Sequence, residues 1–407
     1  MARPGRVRPR SVGGPQPPAG EPGPRAGNTR RMADLTLLLG GDVMTGRGVD
    51  AILPRPAPPD LREPAVRDAR EYVALAEAAN GTVPRPAPPS WPWGDALDLL
   101  DRLAPDVRIV NLETAVTGRG THDPTKAIHY RTHPANVAAL TAARLDVCAL
   151  ANNHCLDFGP DGLADTLDAL AGAGLAIAGA GPDAAAAWRP AVRPLAEGRL
   201  LVWSVAAPSS GVPPYWAATA ERPGVAYLPE ISATSAGALA ARIAAGRGPG
   251  DRVVVSVHWG TNWGYDVPPE HLAFARRLVD GGVDVVHGHS SHHPRPVEVY
   301  RGRLVLYGCG DLVDDYEGIG GHDAYRPDLR LLWLPRLDRS TGRLRGLRAA
   351  AVRMRRLRLE RASAGDTRWL ADRLGGFGPP FAGPAVDRDG LLAWDVSGDA
   401  APTAGVA

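Results

Sequence analysis

The chain has 407 residues, a formal net charge of +2 and 44% hydrophobic residues, so it can bury a large core in one or two domains. A nearly neutral charge provides no strong field for a polyanion, and no run approaches the ~20 apolar residues that cross a bilayer. Three cysteines cannot all pair and lack zinc-ribbon spacing, which argues against a disulfide framework. We therefore expect neither nucleic acid as a partner nor an integral membrane segment.

The first 33 residues are rich in proline, glycine and arginine, and we predict that residues 1–33 form a disordered tail. The sequence "TRRMADLTLLLG", which begins at Thr29, has some features of a twin-arginine export signal. Its apolar run Leu35–Leu39 is short, however, and is needed as a strand. We expect a cytoplasmic protein, with export through a twin-arginine signal as the alternative.

Short apolar runs bounded by turn residues predict buried strands from residue 35 onwards. Two stretches between these runs have helical spacing of apolar residues. Alternating strands and helices indicate an α/β fold with covered sheet faces, in a domain spanning 34–375 and followed by a C-terminal tail at 376–407. The predicted strand runs are "LTLLL", "VRIV", "DVCALA", "RLLVWSV", "RVVVSV", "VDVV" and "RLVLYG", and the helical sets are Leu163, Leu167 and Leu170, and Leu272, Ala275 and Val279.

The domain contains a proline-rich insertion at 50–94. The hexapeptide "PRPAPP" occurs at 54–59 and again at 84–89, on either side of a helix predicted from about Ala65 to Asn80. Stiff polyproline arms of this kind could frame a lid over a site or form a surface decoration. Trp91 and Trp93 in the closing "SWPWG" favour contact with the core, because exposed tryptophan is costly.

Five of the predicted strands are followed directly by side chains of the kinds that bind metals. In open α/β sheets the carboxyl ends of the strands converge on one crevice, which is where ligands bind. The same pattern at five strands therefore predicts one metal centre. The side chains are Asp42, Glu113, Asn153 with His154, His258, and His289 with His292.

The ligand types narrow the choice of metal. Carboxylate, amide oxygen and imidazole together suit Mn, Fe or Zn better than an all-oxygen Mg or Ca site. Six candidate ligands (Asp42, Glu113, Asn153, His258, His289 and His292) exceed the three or four of a mononuclear zinc site. They fit two divalent metals roughly 3.5–4 Å apart that share a carboxylate, for which Glu113 is our choice.

These residues lie in motifs that resemble the CapA family of poly-gamma-glutamate capsule synthesis proteins, which are related to the calcineurin-like metallophosphoesterases. The motifs are "GGDVMTGRG", "NLETAVT", "ALANNHCLDFG", "VSVHWGTNWG" and "HGHSSHHPRPVEVYRGRLVLYGCGD". The resemblance runs from about Leu35 to Asp315. It implies a four-layer α-β-β-α sandwich of metallophosphoesterase type, with two metals held at the C-terminal ends of strands.

The resemblance also implies a role for several individual residues. Asp42 matches the aspartate of the first motif, and Glu113 takes the place of the bridging aspartate. Asn153 and His154 match an Asn-His pair whose histidine serves the leaving group or the transition state, and His258 matches a lone histidine motif.

The chain departs from the phosphoesterase pattern in two motifs. His289 and His292 match the final histidine pair but are separated by one extra residue compared with GHxH. Asp42 is followed by Val43 and Met44, whereas true phosphoesterases have Asp-x-His, so one imidazole is missing from the implied ligand set.

Two further sets of residues are candidates for supporting roles. Asp157 either orients His154, as a catalytic partner, or caps the helix predicted near Asp161. Asp311, after "YGCG", is expected to touch the site without an assigned role. Four basic residues near the motifs are candidates for binding an anionic substrate, the alternative being that they face solvent. They are Arg47, Lys126, Arg131 and His133.

The arginine-rich run "GRLRGLRAAAVRMRRLRLERAS" predicts an amphipathic strand with a solvated basic face rather than a nucleic-acid surface. Val352 and Met354 alternate with arginines in it, as do Leu357 and Leu359.

Two functions remain. The only lysine, Lys126, has no glycine-rich loop before it, so the chain has no P-loop and is not by itself an ATP-dependent ligase. We favour a hydrolase in which a metal-bound hydroxide attacks a phosphoester of a small-molecule or polymeric anionic substrate. The alternative is a non-catalytic metal-binding accessory that binds polymer or capsule-synthesis proteins in capsule or specialised-metabolite assembly. A crevice of buried ionisable groups is costly to keep without use, which favours the hydrolase.

Overall fold

The structure is a computed structural model that describes residues 1–2 and 34–396. The tail predicted at 1–33 therefore lies, apart from its first two residues, outside the described part of the chain. Within that part, no helix is both long and apolar enough to cross a membrane.

Strands and helices alternate through the described body, which confirms a mixed α/β fold. The strands are β1 (Leu35–Val43), β2 (Val107–Leu112), β3 (Ala115–Val116), β4 (Arg131–Thr132), β5 (Val147–Ala149), β6 (Ala176–Ala178), β7 (Ala180–Gly181), β8 (Ala191–Pro194), β9 (Arg199–Ala206), β10 (Gly224–Val225), β11 (Arg252–His258), β12 (Val285–His289), β13 (Val297–Tyr300), β14 (Arg303–Leu306), β15 (Asp311–Val313), β16 (Leu329–Leu337), β17 (Leu344–Arg355), β18 (Arg358–Arg361), β19 (Phe381–Ala382), β20 (Pro384–Val386) and β21 (Leu392–Trp394). The α-helices are α1 (Arg47–Ile52), α2 (Ala69–Asn80), α3 (Ala96–Leu103), α4 (Ala138–Ala142), α5 (Gly159–Gly172), α6 (Ala184–Ala187), α7 (Ala233–Gly246), α8 (Pro269–Asp280) and α9 (Ala364–Gly375).

Two large sheets carry the fold. The first has ten strands in the order β20-β21-β17-β16-β1-β2-β5-β6, with β15 also paired to β1 and β18 to β17. The second has seven strands in the order β19-β13-β14-β12-β11-β9-β8. Strands β1, β2, β5 and β6 are parallel to one another, and so are β9, β11, β12 and β14. Each sheet therefore gathers several carboxyl strand ends at one edge.

Alternating side chains divide the apolar residues among three cores, because successive residues of a strand face opposite sides of a sheet. In β1, Leu37 and Leu39 pack in a core that also contains Val202 and Val254 of the second sheet, so both sheets contribute to it. Leu38, between them, packs in a second core with residues of the helices that follow the strands of the first sheet. A third core joins β9, β11 and β12 to α7 and α8.

The apolar runs and periodicities of the sequence mark real elements. The seven predicted strand runs fall in β1, β2, β5, β9, β11, β12 and β14, and the two helical patterns fall in α5 and α8. The arginine-rich run forms β17 and β18, where Val352 and Met354 are buried while Arg353 and Arg355 are partly exposed. This confirms the predicted amphipathic strand.

The proline-rich insertion at 50–94 is built into the fold. Its helix α2 contributes Val73 and Ala76 to the core beside the first sheet, and Trp93 is fully buried there. Trp91 Nε1 donates to the Arg356 carbonyl at 2.9 Å, so both tryptophans contact the body of the protein as predicted. The segment is therefore not a detached surface decoration.

The C-terminal part of the described chain departs from the expected tail at 376–407. Strand β19 pairs with β13, while β20 and β21 extend the first sheet beyond β17. Leu392 and Trp394 are buried, and the Trp394 ring lies 5.2 Å from that of Trp333. The expectation of a tail is wrong up to residue 396, because short strands that add to existing edges bury apolar side chains without a long apolar run.

Candidate metal centre

Two groups of potential ligands lie together where the carboxyl ends of the strands converge. The first group is Asp42, His258 and His289, and the second is Asp42, His292 and Asp311. Within each group the ligand atoms lie within 4.8 Å of one another, and all the residues are buried. Asp42 belongs to both groups, so the arrangement has the form of a paired site with one shared carboxylate.

Close packing of two strands brings the second group together. Parallel pairing of β1 with β15 sets Asp42 opposite Asp311. The pairing needs glycine before Asp42, because a Cβ at Gly41 would overlap the carbonyl of Gly310. Asp42 Oδ1 accepts a hydrogen bond from Asn111 Nδ2 at 2.8 Å, which fixes the shared carboxylate.

Glu113 lies beside the first group. The Asn111 amide bridges it to Asp42, with 3.0 Å from Nδ2 to Glu113 Oε2. Glu113 Oε1 is 3.9 Å from both His258 Nε2 and His154 Nε2. The residue common to the two groups is thus Asp42, whereas the sequence-based choice for the bridge was Glu113.

Asn153 and Ser256 contact the two histidines of the first group. The Nδ1 atoms of His258 and His289 are 2.8 Å apart, and Asn153 Oδ1 is 3.0 Å from His258 Nε2. Ser256 Oγ is 2.7 Å from His289 Nε2 and holds that ring from behind. Burial lowers the pKa of His258 and of His289 well below the ordinary value, so both imidazoles are neutral and keep a lone pair for a metal.

The second group contains Asp311, a ligand candidate for which the sequence analysis assigns no role. His292 Nδ1 is 2.8 Å from Asp311 Oδ1, and Asp311 Oδ2 is buried without a hydrogen-bond partner. A buried carboxylate oxygen without a partner is costly unless a cation balances it. The sequence signal for Asp311 is its position directly after "GCG", where Gly308 and Gly310 pack closely against the segment that carries His292.

The charges of the cluster fit a divalent cation. Burial and the neighbouring Asp311 raise the pKa of Asp42 to about 7, and burial with Asp42 raises that of Glu113 well above its usual range. Ionising both carboxyl groups in this buried space is therefore unfavourable without a counter-charge, which a metal ion would supply. With imidazole, amide and carboxylate donors, the residues present suit a transition metal.

Hydrogen bonds through Asp157 hold the His154 ring in place. Its Nδ1 is 2.6 Å from Asp157 Oδ2, and the Tyr130 backbone N–H donates to the same oxygen at 2.7 Å. Lys126 Nζ makes short contacts with Asp157 Oδ1 and the Asn153 carbonyl. Helix α5 begins after Phe158 without a side-chain cap. Asp157 therefore orients His154 and does not cap the helix.

Two of the four basic residues considered for substrate binding are already paired with buried carboxylates. Lys126 holds Asp157, as described, and Arg47 is buried between Glu63 and Asp315. The Arg47 guanidinium also lies 4.0 Å from the centre of the Tyr72 ring. Both cations are therefore already paired, although Arg47 also lines the cavity that contains Arg131.

The other two basic residues lie away from the ligand groups. Arg131 stacks on Phe158 at 3.6 Å and lines a cavity of about 240 Å³ shared with the proline-rich insertion. His133 Nδ1 accepts from the Ala135 N–H at 3.1 Å and caps a short helical turn. The structure thus gathers all the predicted metal ligands but does not gather the four basic residues around them.

His287 supports the site without joining it. Its Nε2 is 2.9 Å from the Gly40 carbonyl and its Nδ1 is 3.2 Å from Ser256 Oγ, which in turn contacts His289. The side chain is fully buried and joins β12 of the second sheet to β1 of the first. It therefore fixes the position of a ligand, as a residue behind a metal site does.

Known proteins resemble this chain over most of its described length. A family model described as bacterial capsule synthesis protein PGA_cap matches residues 36–316. A protein of Mycobacterium tuberculosis named probable polyglutamine synthesis accessory protein is 54% identical over 361 residues, which are 88% of this chain and 95% of that one.

More distant relatives share parts of the chain. The PGA biosynthesis protein CapA of Bacillus subtilis is 31% identical over 212 residues, or 50% of this chain and 52% of that protein. A solved structure from Staphylococcus aureus, provisionally named a 5'-nucleotidase, is 11% identical over 81% of this chain and 53% of that one. Its TM-score of 0.39 is too low to bear on the fold.

Proposed function

Because the chain belongs to the bacterial capsule synthesis protein family, we propose that it is a metal-dependent hydrolase that acts on a phosphoester in capsule or polyglutamate synthesis. The observation that carries this proposal is the pair of buried ligand groups sharing Asp42. A structural role would require only one closed metal site, whereas shared carboxylates are typical of paired catalytic metals.

We assign two divalent metals, Mn, Fe or Zn, to the two groups. Asp42 would bridge them, with His258, His289, Asn153 and Glu113 on one side. On the other side, His292 would act with Asp311, which would take the place of the imidazole missing at Met44. When bound, such a pair would lower the pKa of a water molecule and clamp the oxygens of a phosphoester.

His154 is the residue we assign to proton handling. Asp157 accepts from its Nδ1–H, which leaves Nε2 facing the ligand cluster, 3.9 Å from Glu113 Oε1. Burial lowers the pKa of His154 to about 4, so the free imidazole is neutral. A neutral imidazole held in this tautomer would accept a proton or a hydrogen bond at Nε2, while Asp157 and Lys126 keep the ring in place.

The finer architecture and the setting are part of the same proposal. We interpret the three cores as the interfaces of a four-layer α-β-β-α sandwich of metallophosphoesterase type. We also propose that the protein is cytoplasmic and that its partners are capsule-synthesis proteins.

A second candidate is a non-catalytic accessory that uses the same crevice to bind polymer or partner proteins. It is favoured by the name of the Mycobacterium tuberculosis relative, which describes an accessory protein. In that case, variants of the metal ligands would lose the metal but would still bind the partner, and the wild type would show no hydrolysis.

Metal content tests the proposal. Protein reconstituted with Mn or Zn should hold about two metals per chain, and wild type should hydrolyse a member of a phosphoester panel with Mn added. Asp42→Asn should lose both metals because it removes the shared ligand, whereas Asp311→Asn should lose one. Asp389→Asn, an exposed carboxylate far from the cluster, serves as the control.

The possible outcomes separate the two candidates. Metal loss in Asp42→Asn together with loss of turnover supports the hydrolase. A chain that holds no metal after reconstitution overturns it and leaves a binding protein. Equal metal loss in Asp42→Asn and Asp311→Asn would instead argue for a single metal.

A further inference from the structure

A small cavity lies directly beside the candidate metal centre. It has a volume of about 190 Å³, and its wall includes His292, one of the candidate ligands. The remaining wall is largely ring and apolar surface from two loops, including Trp263, Tyr316, Ile319 and His322. A ligand group in this cavity would therefore sit next to the atoms that hold the metals.

We propose that this cavity binds a flat, uncharged ring of the substrate, so that the phosphoester is one of an aromatic or heteroaromatic group. The inference rests on the proposed function, because it concerns the group attached to the phosphoryl oxygen. No aspartate, glutamate, lysine or arginine is among the described residues that line the cavity. A charged polymer arm would find no counter-ion there. An apolar ring, in contrast, would be removed from water, which favours its binding.

Ring surfaces dominate the wall. The Trp263 and His322 rings stack with centroids 3.8 Å apart and an interplanar angle of 10°. The Tyr316 ring stands edge-on to His292, at 5.2 Å and 85°. Ile319 is 44% exposed, although large apolar side chains are usually buried. Aromatic walls with an apolar lip are suited to a planar ligand.

The metal motif itself positions the tryptophan. The His292 backbone N–H donates to the Asn262 carbonyl at 3.0 Å, and Arg295 Nη2 donates to the Thr261 carbonyl at 2.8 Å. Thr261 Oγ1 in turn donates to the Trp263 carbonyl at 2.8 Å. The loop that carries Trp263 is therefore tied to the same segment that carries the ligand.

The opposite wall of the cavity connects to the proposed proton-handling residue. The hydroxyls of Tyr316 and Tyr130 are 2.6 Å apart. The Tyr130 ring packs on His154 with centroids 4.2 Å apart. Tyr316 therefore links the wall of the cavity to the residue that packs against His154.

The size limits the occupant to about one ring system. Pockets for drug-sized ligands hold roughly 300–1,000 Å³, and this cavity is smaller. It borders a larger, more polar cavity of about 470 Å³ that shares Tyr316, Ile319 and Pro327 and includes Arg326. A polar substituent on the ring would extend in that direction.

Calorimetry on the metal-loaded protein tests the inference without requiring turnover. Phenylphosphonate should bind about tenfold more tightly than methylphosphonate, since both offer the metals the same phosphonate and only one offers a ring. Trp263→Leu and Ile319→Glu should remove this preference while methylphosphonate binding stays unchanged. Ile319 is exposed, so its variant is not at risk of misfolding.

A matched control is Trp188→Leu, which removes a partly buried tryptophan that does not line the cavity and should keep the preference. Equal affinity of the two phosphonates for wild type would overturn the inference while leaving the proposed function intact. A protein that retains no metal and binds neither phosphonate would overturn both. An unchanged preference in Ile319→Glu and Trp263→Leu would place the ring elsewhere and also overturn the inference.

Discussion

At the scale of single residues, Lys126 shows that a cation near a site can stabilise the structure of the site without binding a ligand. Its ammonium pairs with Asp157, whose side chain is completely buried, and lies 4.9 Å from the centre of the Trp216 ring. Lys126→Met should lower the free energy of unfolding by about 3–5 kcal/mol, because it leaves a buried carboxylate without the cation that pairs with it. Urea denaturation measures this loss.

The double variant Lys126→Met with Asp157→Asn is the control for that prediction. It removes the stranded charge, so it should recover part of the stability lost in Lys126→Met. If Lys126→Met and the double variant unfold at the same urea concentration, the ion pair between Lys126 and Asp157 does not contribute to stability as described.

Arg47 allows the same distinction between stability and ligand binding. It is buried against Glu63 and Asp315 and stacks on Tyr72. Arg47→Met should therefore destabilise the protein by about 3–5 kcal/mol in urea. Metal content of the folded fraction should stay at the wild-type level.

Arg301→Met is the matched control, because Arg301 pairs with Asp280 at an exposed position. It should leave the unfolding midpoint unchanged within measurement. A stable Arg47→Met protein that has lost phosphonate affinity would contradict this assignment and return Arg47 to the substrate-binding residues.

At the scale of elements, the pairing of β1 with β15 determines where Asp311 lies. A methyl group at Gly41 would push against the backbone of Gly310. Gly41→Ala should therefore cost at least about 1–3 kcal/mol of stability and should lower the metal content of the folded protein, since it moves Asp311 away from Asp42. Gly172→Ala, at the end of α5 with open space around it, should cost nothing. Normal metal content in Gly41→Ala would show that Asp311 is not needed.

The elements differ in how far the sequence alone predicts them. Strands β1, β11 and β12 were predictable because a parallel strand buried on both faces is a continuous apolar run. Strand β16 was not, although it is central to the first sheet: Arg330 and Pro335 interrupt its pattern. Arg330 is tolerated there because it is fully buried against Asp314, a partner outside the strand. Charges satisfied by distant residues cannot be inferred from local sequence.

The site shows the same division. Asp42, His258 and His289 lie at or next to the last residues of strands that begin with apolar runs, and this position alone makes them predictable. Asp311 begins a strand of three residues, and its place beside Asp42 depends on a pairing across 269 positions of the chain. Arg47 is near the ligands in sequence but is neutralised by Asp315 from the far end of the motif region. The local sequence pattern predicts that a residue lies at the end of a strand. It does not predict which residues from distant parts of the chain contact that residue.

At the scale of the whole molecule, the candidate ligands link the two large sheets. Asp42 ends a strand of the first sheet and Glu113 follows another, while His258 and His289 end strands of the second. A metal bound by this set would tie the sheets together at one edge. Binding to the native state alone stabilises that state by mass action, by about 4 kcal/mol when free metal is 1,000-fold above its dissociation constant.

Metal removal should therefore lower the thermal stability of the entire fold. We expect a chelator to lower the unfolding temperature of the reconstituted protein by on the order of 10 °C, measured by calorimetry or circular dichroism. In Asp42→Asn the same chelator should cause no shift, because the shared ligand has already been removed. A shift of equal size in Asp42→Asn would mean that the chelator acts at another place, and no shift in wild type would mean that the two sheets are held by their common core alone.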